Sequence, residues 1–250
     1  MTDTLVLAQL DLQKSSLSLV SIPRDLYYKN RKINSIYRAF GIERLLAVLS
    51  EAMGIPIEKY ISIDMYGFID VINLLGGIDV DLPEDLVDPT YRVRESGAWS
   101  TLYYPAGRHH LSGIEVLRIV RSRYLTSDFG RAERQQIVLK GILQKIKDLR
   151  LTDLSKLYQL ITILRNYIET NLHPLEILGY LTRGPSIQLE KTLVLSLDNV
   201  LYADYENLKL AGLKEEEVEE SFDKGAYILL PLEEDWSFFS QYIKDFLEIP

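Results

Sequence analysis

Two sequence periods alternate along this chain, and that alternation restricts its fold more than any other feature. Residues 4–10 and 16–22 read as strands separated by the polar turn Asp11-Leu12-Gln13-Lys14-Ser15, and the second stops at Pro23. Apolar residues then recur at helical spacing over 34–53 (Ile36, Phe40, Leu45, Leu46, Leu49 and Met53), and Gly54 and Pro56 mark the exit. A strand over 59–64, a helix over 66–75 closed by Gly76-Gly77 and a strand over 78–82 follow. Residues 84–110, with Pro89, Gly97, Pro105 and Gly107, read as a long irregular loop, a feature that is commonly functional in a compact domain. Helical spacing resumes over 111–120 behind Ser112 as N-cap, and again from Ser127-Asp128 towards Leu149. Helices over 152–171 and 174–182, strands near 192–196 and 227–231, and a helix over 234–247 complete the chain. Strands interleaved with helices predict a three-layer α/β/α sandwich around a central mixed β-sheet. The 250 residues, 47% of them hydrophobic, suffice for one large domain of that kind.

Composition removes several chemistries. With no cysteine there is no disulfide, thiolate metal site or cysteine nucleophile. Three histidines, two of them adjacent at His109-His110, argue against a histidine-built zinc site. The net charge of −8 is uneven: residues 201–250 hold 13 acids and 4 bases, or −9, which leaves 24 bases and 23 acids, or +1, for residues 1–200. The acidic run Lys214-Glu215-Glu216-Glu217-Val218-Glu219-Glu220 reads as a solvated helix face. Nucleic-acid binding calls for a basic domain, and this balance counts against it. No apolar stretch reaches the ~18–20 residues of a membrane span.

One segment stands out chemically. From Arg118 to Arg134 the chain carries five arginines, Arg118, Arg121, Arg123, Arg131 and Arg134, and no lysine. Arg121, Arg123 and Arg131 flank the turn Tyr124-Leu125-Thr126-Ser127, where like charges repel unless an anion lies between them. Guanidinium groups offer phosphate a planar, bidentate donor set, and the helix beginning after Ser127 adds backbone N–H groups. The competing reading is a set of surface ion pairs with Glu115, Asp128 and Glu133. Arg24 and Asp25 stand at the end of a strand, where ligand crevices form in α/β sheets, and Asp3 precedes the first strand as a carboxylate suited to Mg2+. Solvated or locally paired side chains account better for these three when each is taken alone. Asp64, Asp70, Asp79 and Asp81 read as solvated loop carboxylates. The tyrosines within 91–104 suit either sugar stacking or ordinary packing.

Taken together, Ser21-Ile22-Pro23-Arg24-Asp25, Lys32-Ile33-Asn34-Ser35-Ile36-Tyr37, Arg121-Ser122-Arg123 and Ser127-Asp128-Phe129-Gly130-Arg131-Ala132-Glu133-Arg134-Gln135-Gln136 resemble the motifs of the LytR–CpsA–Psr domain. Gly76-Gly77-Ile78-Asp79-Val80, Leu111-Ser112-Gly113, Leu229-Leu230-Pro231 and Trp236 fit the same pattern, so the resemblance covers nearly the whole chain as a single domain over 1–250. It implies a membrane-anchored bacterial protein, its catalytic domain on the outer face of the cytoplasmic membrane. Such a protein moves a glycopolymer from a polyprenyl-pyrophosphate carrier onto peptidoglycan with the help of Mg2+ or Mn2+. Arg24, Arg121, Arg123, Arg131 and Gln135 would contact the pyrophosphate, Lys32 matches a further motif position, and Asp3 would act at the metal and on the acceptor hydroxyl. Arg118 and Arg134 would be structural. The apolar helices at 34–53, 66–75 and 137–147 are candidates to line a tunnel for the polyprenyl chain.

The resemblance also implies an N-terminal transmembrane helix and an earlier strand bearing a second metal-binding aspartate, both upstream of Asp3. The loop between Arg24 and Lys32 is shorter than the pattern expects. Other activities compatible with the motifs are non-catalytic binding of polyprenyl phosphates, hydrolysis of the lipid pyrophosphate, and the transcriptional regulation suggested by older naming.

Overall fold

The computed structural model describes residues 4–95, 98–122, 128–147, 159, 162–163, 165–204 and 227–249. The strands β1 (Leu5–Asp11) and β2 (Ser16–Ile22) form as expected, and with β11 (Gln188–Val194) they make a three-stranded sheet in the order β1-β2-β11. The central position of β2 explains its near-continuous burial, in which even Ser16, Ser18 and Ser21 are inaccessible. The other strands among the described residues pair two by two. Helices and sheets mix along the described residues, so the α/β class is confirmed.

By contacts the chain divides into two compact units, one of Met1–Gln9, Ser18–Glu58 and Lys191–Pro250, the other of Leu10–Leu17 and Lys59–Glu190. In the first unit, β3 (Tyr27–Tyr28) and β4 (Arg31–Lys32) form a minimal hairpin in which Tyr28 faces Arg31 across Lys29 and Asn30. Both turn residues have positive φ, 48° and 64°, the mirror-image turn that matches strand twist. This turn is what makes the Arg24-to-Lys32 connection so short.

The helix expected over 34–53 is two helices, α1 (Ile33–Phe40) and α2 (Ile42–Met53). They part at Gly41, whose φ of 83° and ψ of 177° only glycine adopts without strain. The apolar spacing continues through the break, which is why periodicity alone does not reveal it. Asn34 lies in the first turn of α1, where its N–H donates to the Arg24 carbonyl at 3.1 Å. Strands β12 (Leu201–Asp204) and β13 (Ile228–Pro231) pair antiparallel, and a helix over Trp236–Leu247 closes the unit behind its N-cap Asp235. The strand expected near 192–196 is β11, displaced towards the N-terminus, and β12 was not foreseen.

The second unit is built on β5 (Ile61–Ile63), α3 (Met65–Leu74) and β6 (Ile78–Leu82). Asp64, expected to be solvated, caps α3 by accepting from the Gly67 N–H at 2.8 Å. The irregular loop expected over 84–110 is mostly strand: β7 (Leu86–Glu95) and β8 (Ala98–Tyr104) form a hairpin, and β9 (Gly107–Leu111) pairs with β6. Leu86, Val93 and Leu102 point from the hairpin into the core with Ile72, Ile78 and Val116. Each such buried aliphatic contributes about 1.5–3 kcal/mol over its exposed state. Leu111 therefore ends a strand, and α4 (Gly113–Arg121) follows behind Ser112 as expected. The long helix α5 (Asp128–Lys147) is also as expected. The expected helix over 152–171 ends early: residues 165–167 are helical, but β10 (Ile168–Thr170) is a strand paired antiparallel with β5. The remaining helix, α6 (Pro174–Arg183), matches its expectation, and the acidic run at 214–220 lies outside the described residues.

Candidate pyrophosphate site

In the first unit, the chain leaving β2 at Pro23 is tied down by its backbone. Leu26 bridges to Leu229 in parallel, and Leu229 N–H donates to the Asp25 carbonyl at 3.0 Å. This fixes Asp25, buried, with Arg24 and Lys32 on its two carboxylate oxygens. Arg24 Nε donates to Oδ2 at 3.3 Å and Lys32 Nζ to Oδ1 at 2.8 Å. Both cations stay partly accessible, with side chains 19% and 28% exposed, and the group carries one net positive charge. The hairpin turn thus brings Lys32 to the same carboxylate as Arg24.

In the second unit, the arginines fall into two kinds. Arg121, the last residue of α4, is exposed and forms no ion pair among the described residues; its guanidinium donates to the Met65 sulfur at 3.4 Å. Met65 is itself 48% exposed, and Tyr66, next to it, and Ile61, four positions before it, are more exposed still. Arg131 and Arg134, one turn apart on α5, are buried. Arg134 donates through Nη2 to the Ser122 carbonyl at 2.6 Å and through Nε to the Ile119 carbonyl at 3.2 Å. Burial, and then the positive charge of Arg131, hold the Arg134 guanidinium below its ordinary pKa. Arg134 is accordingly structural. Gln135 is half-buried on the same helix. Asp3 and Arg123 lie outside the described residues.

The ion-pair alternative loses one of its acids. Glu115 is occupied by the helix start, where it accepts from the Ser112 N–H at 2.8 Å and the Ser112 hydroxyl at 2.6 Å. Asp79 is not a solvated loop residue but a member of β6, held by His110 Nδ1 at 2.8 Å, Arg108 at 3.2 Å and Lys145 at 3.9 Å. The His110 hydrogen bond, then that of Arg108, keeps its carboxyl below the usual range.

Sequence reasoning passed over Asp88. It is buried on β7; its Oδ1 accepts from the Thr90 N–H at 3.0 Å, the Thr90 hydroxyl at 2.7 Å and the Tyr91 N–H at 3.0 Å, and its Oδ2 accepts from the Ser122 hydroxyl at 2.7 Å. Burial pushes the Asp88 carboxyl up, but these hydrogen bonds from Thr90, Ser122 and Tyr91 outweigh it and leave the carboxyl below its ordinary value. A depressed folded value stabilises the fold above the unfolded pKa of about 4 and is lost as pH falls through the folded one. The stability gap between the wild type and Asp88→Asn should therefore be full at pH 5 and above and shrink below about pH 4. Chemical denaturation across that range measures it, and a gap that stays constant would contradict an ionised Asp88.

An α/β fold that sets an exposed arginine, without an ion pair among the described residues, against the partly exposed Met65 defines a protein suited to an anion carried on a hydrophobic body. The chain belongs to the LytR–CpsA–Psr family, whose model (LytR_cpsA_psr family) matches residues 1–224. It is similar to the polyisoprenyl-teichoic acid–peptidoglycan teichoic acid transferase TagV of Bacillus subtilis (strain 168), 32% identical over 181 residues, which is 68% of this chain and 45% of TagV. A Bacillus cereus TagU of the same activity name is 30% identical over 179 residues, 68% of this chain and 55% of the relative. The chain thus spans about half the length of the curated relatives it matches. The crystal structure of B. subtilis TagV superposes with a TM-score of 0.72 at 25% identity, covering 99% of this chain and 90% of that one. The fold is therefore that of the family.

Proposed function

We propose that this chain is the catalytic domain of a transferase that moves a glycopolymer from a polyprenyl-pyrophosphate carrier onto peptidoglycan. The observation that carries the reading is Arg121, exposed, without an ion pair among the described residues, and in contact with the partly exposed Met65. A pyrophosphate ester of a polyprenol presents an anion joined to hydrocarbon, and these neighbours match its two ends. Membership of the family and the activity names of TagV and TagU support the choice of substrate.

In the reaction, a sugar hydroxyl of peptidoglycan attacks the phosphorus nearest the glycan. A new P–O bond forms, the bond to the bridging oxygen breaks, and polyprenyl phosphate leaves. The hydroxyl proton passes to a base, for which Asp3 is the candidate. Such transfers are accelerated chiefly by positioning and charge neutralisation, which Arg24, Lys32, Arg121, Arg123 and Arg131, with Gln135 as a neutral donor, would supply.

The described carboxylates next to these arginines do not form a Mg2+ site. Asp25 and Asp88 are occupied by protein donors, and among the described residues no group of three or more His, Asp or Glu side chains gathers to hold a metal. Mg2+, or Mn2+ in its place, belongs to the proposal only through Asp3 and the oxygens of the substrate. The proposal also places the domain outside the cytoplasmic membrane, tethered by a segment preceding it; no helix among the described residues is long and apolar enough to cross a membrane.

The test is transfer of a radiolabelled glycan from a polyprenyl-pyrophosphate carrier to peptidoglycan, with and without EDTA, by the domain extended upstream of Met1. Label in peptidoglycan that disappears with EDTA is the expected outcome. Binding of the carrier with no transfer would reduce the protein to a lipid-phosphate binder, and phosphate release without transfer would make it a hydrolase.

A further inference from the structure

Ser122 separates Arg121 from Arg123 in the sequence and is completely buried. Each of its polar groups has a fixed partner. Its N–H donates to the Arg118 carbonyl at 3.0 Å and so closes α4, its hydroxyl donates to Asp88, and its carbonyl accepts from Arg134. The residue that ends the helix is thus clamped between a buried carboxylate from β7 and a buried guanidinium from α5, the carboxylate 34 positions away in the sequence. Helix ends are ordinarily finished by a glycine, by water or by a local side chain. Ionised groups in this place are costly to bury and are retained only where every charge is hydrogen-bonded. Four donors on Asp88 and two carbonyls under Arg134 meet that condition.

We infer that Asp88 is a positioning residue of the pyrophosphate site: acting through Ser122, it fixes the direction in which Arg121 leaves α4. The inference rests on the reading of Arg121 as a pyrophosphate ligand and extends it to a residue that touches no substrate. Arg121 is exposed, and among the described residues the contact of its guanidinium is the weak acceptor Met65, which aims the tip of the side chain little. The aim is set at its root, where the backbone on its C-terminal side is held by Ser122. A backbone root fixed before the ligand arrives leaves only the side-chain torsions to be ordered on binding, and a guanidinium displaced by even one ångström loses its bidentate contact.

The test is calorimetric titration of inorganic pyrophosphate into the wild type, Asp88→Asn, Ser122→Ala, Arg121→Ala, and the double variants that combine each of the first two with Arg121→Ala. Melting temperatures are recorded for every protein. Asp88→Asn and Ser122→Ala should each weaken pyrophosphate binding by about 5–10-fold when Arg121 is present and by less than about twofold when it is absent, the signature of coupled residues. Ser122→Ala keeps the test open if Asp88→Asn fails to fold, because it removes a single hydroxyl and leaves Thr90 and Tyr91 on Asp88. Equal losses in both backgrounds would mean a general loosening of the fold and overturn the inference, as would unchanged affinity in Ser122→Ala. The wild type failing to bind pyrophosphate would overturn the reading of the site itself, whereas binding without coupling defeats only the role of Asp88.

Discussion

Arg121→Ala should lower the affinity for a polyprenyl-pyrophosphate glycan, and with it the transfer rate, by about 100-fold or more while leaving the melting temperature within about 1 °C of the wild type. The two halves of this expectation have separate causes. A bidentate guanidinium–phosphate contact comprises two charge-assisted hydrogen bonds, each contributing about 1.5–3 kcal/mol, and about 1.4 kcal/mol corresponds to tenfold. The fold, by contrast, makes little use of this side chain, which is exposed and among the described residues donates to the Met65 sulfur. Surface substitutions of that kind usually change stability by less than about 0.5 kcal/mol. Arg121→Lys keeps the charge but not the fork, and should fall between the two proteins in affinity. Equilibrium binding of the lipid-linked glycan beside a thermal melt measures both quantities. An alanine variant that binds as tightly as the wild type would show that the anion is held elsewhere.

Arg134→Met should do the opposite and damage the fold first. Methionine approximates the length of arginine and fills the space, but it strips the donors from two buried carbonyls, those of Ile119 and Ser122. Each carbonyl left unsatisfied costs about 1–3 kcal/mol. Part of this is offset, because burial and the repulsion from Arg131 already disfavour the charge on Arg134. A net loss of about 2 kcal/mol is expected, or about 4–8 °C in melting temperature for a chain of this size. Binding should weaken as a consequence, since the end of α4 loses half of its clamp. A variant that melts like the wild type but no longer binds would reverse the assignment and make Arg134 a ligand contact.

These two arginines mark where sequence reading succeeded and where it stopped. The Ser112 cap and the strand-to-loop exit at Pro23 are local signals, and both are found in the structure as expected. The motif match set Arg134 apart as structural, and the cause lies in its partners, carbonyls 12 and 15 residues away; the burial of Arg131 beside it was not foreseen. Asp88 was invisible because its partner Ser122 is far off in sequence, and because Pro89, next to it, suggested a loop. The β7–β8 hairpin escaped for a related reason. Its register shifts between Asp88 and Arg92, which breaks the alternation that would have marked a strand. The strand Ile168–Thr170 depends on Ile61–Ile63 more than 100 positions earlier, a pairing that no local window contains. Gly41 stayed hidden because the apolar period runs through it unchanged.

Helix α4 is fastened at both ends, and this makes it a strut rather than a lever. At its start, Gly113 lies against the backbone of Ile69 so closely that an added Cβ would sit 2.3 Å from the Ile69 oxygen, and its N–H donates to Asn73 at 2.9 Å. At its finish stand Asp88, Ser122 and Arg134. Over about 13 Å of helix the backbone cannot swing towards an arriving charge or away from it. Whatever searching is done on the approach of the substrate is left to the side-chain torsions of Arg121, which change in nanoseconds and do not wait on a slow backbone rearrangement.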